Sequence, residues 1–581
     1  MMLRILSIFS IFLLAACDAN VTSPAATDVP AQQIEPSSAG MVATANPLAT
    51  DAGVRILEAG GSAIDAAVAI ESVLSLVEPQ SSGLGGGGFL LHYDANTKQI
   101  DVYDGRERAP AGATPDMFLT EDGTPLSFPL AKNSGLSIGV PGMVALLSLA
   151  HQDHGVLDWP NLFDEAIQLS EQGFDVSPRL NQYLTNFQRY APSFDDEGPK
   201  QAHEYFFESD RTPKTRLVNP AYAETLRTIQ KDATAFYRGE LALEIVTQAN
   251  AEPRAGSLAI SDMQSYQAIK TTPLCVPYKE LSLCGPPPPS SWAAVGMIMR
   301  MLESAPRFSG ENQTRDWTMV GEALRLAYAD RDQYVADTEF VEVPLSGLLS
   351  EEYLVQRAAE IDPDRATTQI TFGNPWEFED VPTAQYGLDA TEHFAGTTHF
   401  SVMDAAGNVV AMTATVESVF GSSRMAGGMF LNNELTDFSR TPFDAEGAPI
   451  ANAVEPFKRP RSSMSPTIVL DEDGEFYLST GSPGGNSIIS YVIKTLVGVI
   501  DWGLSPQEAI NLPNMIARGD TVRIENQASP ELIQALNDYG FSVRETAGEN
   551  SGLSMIIRNP DGSLSGGVDP RREGTVGIPN L

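Results

Sequence analysis

"GTTHFSVMDAAGNVVAMTATVE", residues 396–417, holds two runs of strand-forming residues around a turn-rich centre, Asp404 to Asn408. Asp, Gly and Asn in that centre favour chain reversal. Centring a hairpin on Ala406 sets Met403 opposite Val409 and, counting outward, Thr397 opposite Thr415. Directly opposed side chains of an antiparallel pair have Cβ atoms about 5 Å apart, close enough for two hydroxyls to interact. Threonine pairs also decorate ordinary strands. Gly396, placed just before Thr397, gives this pair a second reading. A threonine hydroxyl is a poor nucleophile until a base takes its proton. If Thr397 becomes the first residue of a chain, its own α-amine is that base, so Gly396–Thr397 reads as a scissile bond.

Downstream, "STGSPGGNSIISYVIKTLVGVI" (479–500) sets Gly484 and Gly485 before an apolar helix. Backbone N–H groups there suit a developing oxyanion, although a packing turn has the same sequence. Two other glycine patterns are rejected. The G-x-G-x-x-G match at Gly83, Gly85 and Gly88 follows a helix and precedes a strand, the reverse of a dinucleotide site. The G-x-S-x-G match at Gly135–Gly139 lacks strand–turn–helix flanks.

The chain has 581 residues, enough for two to four domains or one large layered domain. With 42% hydrophobic and 19% charged residues it is globular rather than disordered. A formal net charge of −38, with no basic stripe, excludes nucleic acid as a partner and otherwise favours solubility. "MMLRILSIFSIFLLAAC" (1–17) has one arginine and an apolar run too short to span a bilayer stably. It resembles a bacterial lipoprotein signal ending at a lipid-bearing Cys17; an ordinary cleaved signal is the alternative. Residues 18–40 are small, polar and Pro-containing, as in a flexible tether. These features predict a periplasmic protein whose only membrane contact is a lipid anchor.

Cys275 and Cys284 flank a turn-like "PYKE" and, in an oxidising compartment, are expected to form a disulfide, with buried thiols as the alternative. His151 and His154 lie close together but have no partners in sequence, so no metal site is expected. "SAIDAAVAIESVLSLVEP" reads as a helix with Ala67, Ile70, Leu74 and Val77 on one face and a start capped by Ser62 and Asp65. Residues 160–370 read mostly as helices, and strands dominate from Thr397 onward.

The ordered strings "TTHFSVMDAAGNVVAMTATVESVFGS", "LNNELTDFS", "KRPRSSMSPTIV" and "GSPGG" resemble the γ-glutamyltranspeptidase family of glutathione hydrolases. "DGRERAP", "LRLAYADRDQYVAD" and "GGVDPRREGTVG" extend the resemblance over roughly residues 41–577. It implies an α+β fold: a four-layer αββα sandwich of the N-terminal-nucleophile hydrolase type with a helix-rich large-subunit part. Cleavage between Gly396 and Thr397 would leave a large subunit, 41–396, paired with a small catalytic one, 397–581. Thr397 would attack the γ-glutamyl carbonyl with Thr415 hydrogen-bonded to it, and Gly484 and Gly485 would hold the oxyanion. Arg106, Ser462 and Ser463 would bind the substrate α-carboxylate, and Glu434 and Asp437 its α-ammonium. The acceptor would be water, an amino acid or a peptide, and no cofactor is implied.

Three positions depart from the family pattern. Glu417 replaces an asparagine that helps bind the α-amino group and could itself pair with an ammonium. Trp292 replaces a glycine. The stretch from Phe438 to Phe457 lacks the lid tyrosine of several bacterial members, which points to a more open site. Two alternatives remain: a cephalosporin-acylase-like amidase on the same fold, and a non-catalytic solute-binding lipoprotein.

Overall fold

The computed structural model describes residues 39–187, 199–379, 384–389, 391 and 396–580. The signal-like segment with Cys17, and the tether through residue 38, lie outside the described residues.

The hairpin of residues 396–417 lies near the centre of the larger of two stacked sheets. In chain order the strands of the two are β1 (Met41–Thr44), β2 (Gly87–Asp94), β3 (Gln99–Asp104), β4 (Ile269–Thr271), β5 (Leu274–Tyr278) and β6 (Leu281–Gly285). There follow β7 (Gly396–Met403), β8 (Val409–Glu417), β9 (Thr467–Leu470), β10 (Phe476–Gly481), β11 (Ser554–Arg558), β12 (Leu564–Val568) and β13 (Thr575–Gly577). One sheet runs β13-β1-β7-β8-β2-β3-β4 and the other β12-β11-β10-β9-β6-β5. The hairpin register is the expected one, with Met403 opposite Val409 and Thr397 opposite Thr415. Its turn is held by Asp404, whose carboxylate accepts the N–H groups of Ala406 and Asn408 at 2.9 and 3.0 Å.

Alternation along β7 and β8 builds the layers. Phe400, Val402, Val410, Met412 and Ala414 face outward into a core shared with α1 (Pro47–Glu58) and α2 (Ala63–Val77). Met403, Val409 and Ala411 face inward against Ile468, Phe476 and Ile556 of the second sheet. The outer face of that sheet is covered by α3 (Trp292–Ser304) and by α5 (Ile488–Ile500), with α4 (Gln313–Tyr334) packed on α3. The result is helix, sheet, sheet, helix: an αββα sandwich.

The structure adds detail to two expectations. Helix α2 begins with the reciprocal Ser62–Asp65 cap, but all 15 of its residues are buried, so it has no solvent face. Its many alanines let it pass between the first sheet and a further helical layer, from which Tyr222 donates to the Ser72 carbonyl at 2.9 Å. The helical reading of residues 160–370 holds at Asp164–Gln172, Pro220–Lys231 and α4, but β4, β5 and β6 interrupt it. In β5 and β6 Cys275 and Cys284 stand directly opposite and are joined by a disulfide of 2.04 Å. Trp292 is fully buried; its indole N–H donates to Thr467 Oγ1 at 3.0 Å, and its ring fills the space beside Gly285 where a Cβ would lie 2.1 Å away.

Burial in α2 pushes the Glu71 carboxyl up to about 8. An acid raised in the folded state binds more protons there than when unfolded, so its contribution is full below the unfolded value and falls as pH rises toward 8. Glu71→Gln is therefore expected to shrink the loss of unfolding free energy between pH 5 and pH 8, by up to about 4 kcal/mol. Urea unfolding of both proteins at the two pH values checks this; an equal loss in the variant contradicts it.

Candidate active site

Thr397 and Thr415 point to the inward face of the first sheet, their hydroxyl oxygens 3.1 Å apart. Thr415 donates to the carbonyl oxygen of Gly396 at 2.9 Å and accepts the N–H of Glu417 at 2.8 Å. A hydroxyl has one proton to give. Thr415 gives it to the Gly396 carbonyl, so Thr397 is the donor in the Thr397–Thr415 bond. The same hydroxyl thus accepts from Thr397 and polarises the carbonyl beside it. A bulge after Thr415 turns the chain, with Glu417 at φ 76°. Glycine is required before Thr397, because a Cβ on Gly396 would sit 2.4 Å from the Ser418 carbonyl carbon.

The cleft over this pair is lined by Arg106, Glu417, Glu434, Asp437, Ser462, Ser463, Met464, Gly485 and Ile488. Gly485 opens the turn into α5, so the N-terminal end of a 13-residue helix faces the cleft. Gly484 is one residue back at φ 141°, and a Cβ there would strike the Tyr491 ring at 2.4 Å.

The charged lining departs from the picture of a carboxylate-binding arginine at one end and ammonium-binding acids at the other. The Arg106 guanidinium pairs directly with Glu434 and, at 2.5 Å, with Asp437. It also donates to the carbonyls of Pro460 and Arg461 at 3.0 and 2.8 Å. A guanidinium has five N–H donors, and these contacts use four, so Arg106 is not a free fork for a substrate carboxylate. Burial, with like charge from Asp437, pushes Glu434 up to about 8 despite the arginine. Burial and the neighbouring Asp437 and Glu434 raise Glu417 well above the carboxylate range, although Asn433 donates to it. Glu107, raised by burial and Glu434, lies 4.0 Å from Arg106. Carboxylates outnumber cations in this lining, which favours a cationic group on the ligand.

Ser463 accepts a hydrogen bond from Arg331 at 2.7 Å and donates to Asn486 at 3.2 Å; Ser462 Oγ accepts the Met464 N–H at 3.2 Å. Arg331, Asn433 and Arg572 escaped the sequence reading. Arg331 and Arg572 lay within the quoted strings "YADRDQYVAD" and "DPRREG", but spacing alone gave them no partner. His154 is also better connected than its sequence neighbours suggest: its Nε2 lies 3.0 Å from Asp101 and its ring stacks on His92 at 3.8 Å. Those partners come from β2 and β3, and Lys270 already pairs with the same Asp101 at 2.9 Å. Ser137 of the rejected elbow is buried and donates to the Lys132 carbonyl at 2.8 Å. Between Phe438 and Phe457 the exposed aromatic groups are Phe443 and Phe457.

Residues 49–578 match the sequence profile of the gamma-glutamyltranspeptidase family. The chain belongs to that family. It is 34% identical over 563 residues to the glutathione hydrolase proenzyme of Bacillus subtilis (strain 168), covering 94% of this chain and 93% of that one. To the glutathione hydrolase proenzyme of Escherichia coli (strain K12) it is 36% identical over 550 residues, covering 92% and 90%. Among solved structures, cephalosporin acylase from Bacillus halodurans superposes with a TM-score of 0.82 at 25% identity, covering 95% of this chain and 98% of that one. The γ-glutamyltranspeptidase of Helicobacter pylori gives 0.56 at 30% identity over 60% of this chain and 100% of its own.

Thr415→Val removes the Thr397 proton acceptor and the donor to the Gly396 carbonyl together. Loss of one such donor costs about 10²- to 10³-fold in oxyanion-forming steps. Conversion of the single chain to two fragments, followed on denaturing gels, is expected to slow by at least that factor in Thr415→Val and to persist in Thr415→Ser.

Proposed function

We propose that this protein is a self-processing γ-glutamyl hydrolase/transferase that cleaves glutathione and other γ-glutamyl amides through an acyl-enzyme on Thr397. The observation that carries the reading is the convergence of the Thr397 and Thr415 hydroxyls with the Gly396 carbonyl under an acid-lined cleft. In processing, Thr397 Oγ adds to the Gly396 carbonyl carbon and the C–N bond breaks, leaving an ester that water hydrolyses. The products are a large subunit ending at Gly396 and a small one beginning at Thr397, which stay together as a heterodimer.

In turnover the new α-amine accepts the Thr397 hydroxyl proton as the oxygen attacks the γ-carbonyl. The oxyanion that forms is held by the N–H groups at Gly484 and Gly485. As the C–N bond of the donor breaks, the proton passes to the leaving amine. Water or an amino-acid or peptide amine then takes the acyl group. Glu417, Glu434 and Asp437 receive the donor's α-ammonium. Ser462, Ser463 and the remaining Arg106 N–H receive its α-carboxylate, which orients the γ-carbonyl. The leader points to a periplasmic enzyme anchored by lipid on Cys17.

A cephalosporin-acylase-like activity is the second reading, favoured by the close superposition on the Bacillus halodurans enzyme. A glutaryl donor brings no ammonium to three carboxylates, so the lining opposes it.

Purified protein is expected to run as two bands, the smaller beginning at Thr397, and Thr397→Ala as one inactive band. A γ-glutamyl amide is expected to exceed the matching glutaryl amide in kcat/KM by at least 100-fold. Parity between the two donors would transfer the assignment to the acylase reading, and full activity in Thr397→Ala would remove both.

A further inference from the structure

Arg572, in the loop before β13, is 5% exposed and donates from Nη1 to the carbonyl oxygen of Thr397 at 2.8 Å. Its Nε donates to the Ser551 carbonyl at 3.2 Å, and Glu78 Oε2 lies 3.9 Å from Nη1. Glu78 accepts in turn from Arg179 at 3.0 Å. The guanidinium therefore rests on the backbone of the nucleophile itself, fixed from several sides. A carbonyl oxygen lies about 3 Å from the nitrogen of its own residue, which puts Nη1 within roughly 6 Å of the Thr397 nitrogen.

After cleavage that nitrogen is an α-amine, and an ordinary α-amine titrates at about 7.7–8.0. Near neutral pH most of it would be ammonium, which cannot take the hydroxyl proton. Any of the neighbouring acids that is ionised favours the ammonium further. Glu417, Glu434 and Asp437 line the same cleft, Glu107 lies beside Arg106, and Glu78 lies beside Arg572. Arg106 is paired with Glu434 and Asp437, and the buried Lys132 faces Glu417. His399, two residues along β7, is pulled down to about 3 by burial and stays neutral. Among the described residues, Arg572 is a cation that contacts Thr397 directly.

We propose that Arg572 is a positioning residue that pins the Thr397 backbone by its carbonyl and, through its charge, holds the released α-amine in the proton-accepting form. Arg572 gives and takes no proton; the amine lone pair accepts the Oγ proton and later passes it to the leaving amine. Burial and Arg179 lower the guanidinium to about 10, so it remains charged at neutral pH. The inference rests on Thr397 as the nucleophile.

The test is the pH dependence of kcat/KM with a chromogenic γ-glutamyl anilide, for wild type, Arg572→Gln, Arg572→Lys and Glu78→Gln. A cation near the amine lowers its pKa, so removing it should move the acid limb upward by about one pH unit. Arg572→Gln is expected to lose about tenfold at pH 6 and to recover most activity at pH 9, and Arg572→Lys to restore the wild-type limb. Glu78→Gln removes a neighbouring negative charge and is expected to shift the limb the other way. An unmoved limb in Arg572→Gln, with equal loss at every pH, overturns the proposal. If Arg572→Gln remains unprocessed, Glu78→Gln decides: a downward shift supports it and an unmoved limb overturns it. Full activity in Thr397→Ala would overturn the nucleophile assignment and this inference together, whereas an unmoved limb overturns this inference alone.

Discussion

The site depends on the register of one hairpin. Because side chains alternate along a strand, slipping β7 against β8 by one residue would turn Thr397 toward the α1 and α2 helices and present Thr398 to the cleft. The apolar residues fix the register: Phe400, Val402, Val410 and Met412 are committed to the helical layer, and Met403, Val409 and Ala411 to the sheet interface. Residues with no catalytic role thus determine which hydroxyl meets the Gly396 carbonyl. The second sheet is equally necessary, since it encloses the face on which Thr397 and Thr415 lie and supplies the glycine turn before α5.

A second constraint is electrostatic. Burying Glu107, Glu417, Glu434 and Asp437 around one arginine is costly, and an unpaired buried charge costs more than a paired one. The raised carboxyl groups show how the protein meets this: part of the acid cluster keeps its protons. A ligand ammonium would supply the missing positive charge and let protons leave. Glu417 adds to that demand, with Asn433 donating to its carboxylate and Lys132 nearby.

Much of this was legible in the chain because hairpins are local. The Asp404–Asn408 turn and the alternation around it carry the register, and Ser62 with Asp65 marks the start of α2. The cysteine pair could be read because its two residues share a short hairpin. Long-range pairing was not legible. No spacing rule brings Arg572 to Thr397, 175 residues away, or Arg331 to Ser463, 132 residues away. The contact of Arg106 with Glu434 and Asp437 was missed for a different reason: the ligand-binding roles were assigned to separate ends, and the fold packs those residues into one network. Helix α2 showed a helical period, but period cannot say how many neighbours will close around a helix made of alanine and valine.

Overall shape does not decide the donor. The acylase superposes over nearly the whole chain, whereas the Helicobacter pylori transpeptidase chain spans only 60% of it, so the two TM-scores compare different lengths. Both readings share the threonine, its hydroxyl partner and the glycine turn, all of which would act on an acyl carbonyl whatever lies beyond it. Selection must therefore come from groups that touch the rest of the acyl chain. There the cleft presents Glu417, Glu434 and Asp437 with Arg106 already paired to two of them. A donor with a carboxylate but no ammonium would bring a further negative charge to four buried acids that share one arginine, while a zwitterionic γ-glutamyl group brings the cation as well. The chemistry of the acyl chain follows from that balance of charge rather than from the sandwich that carries it.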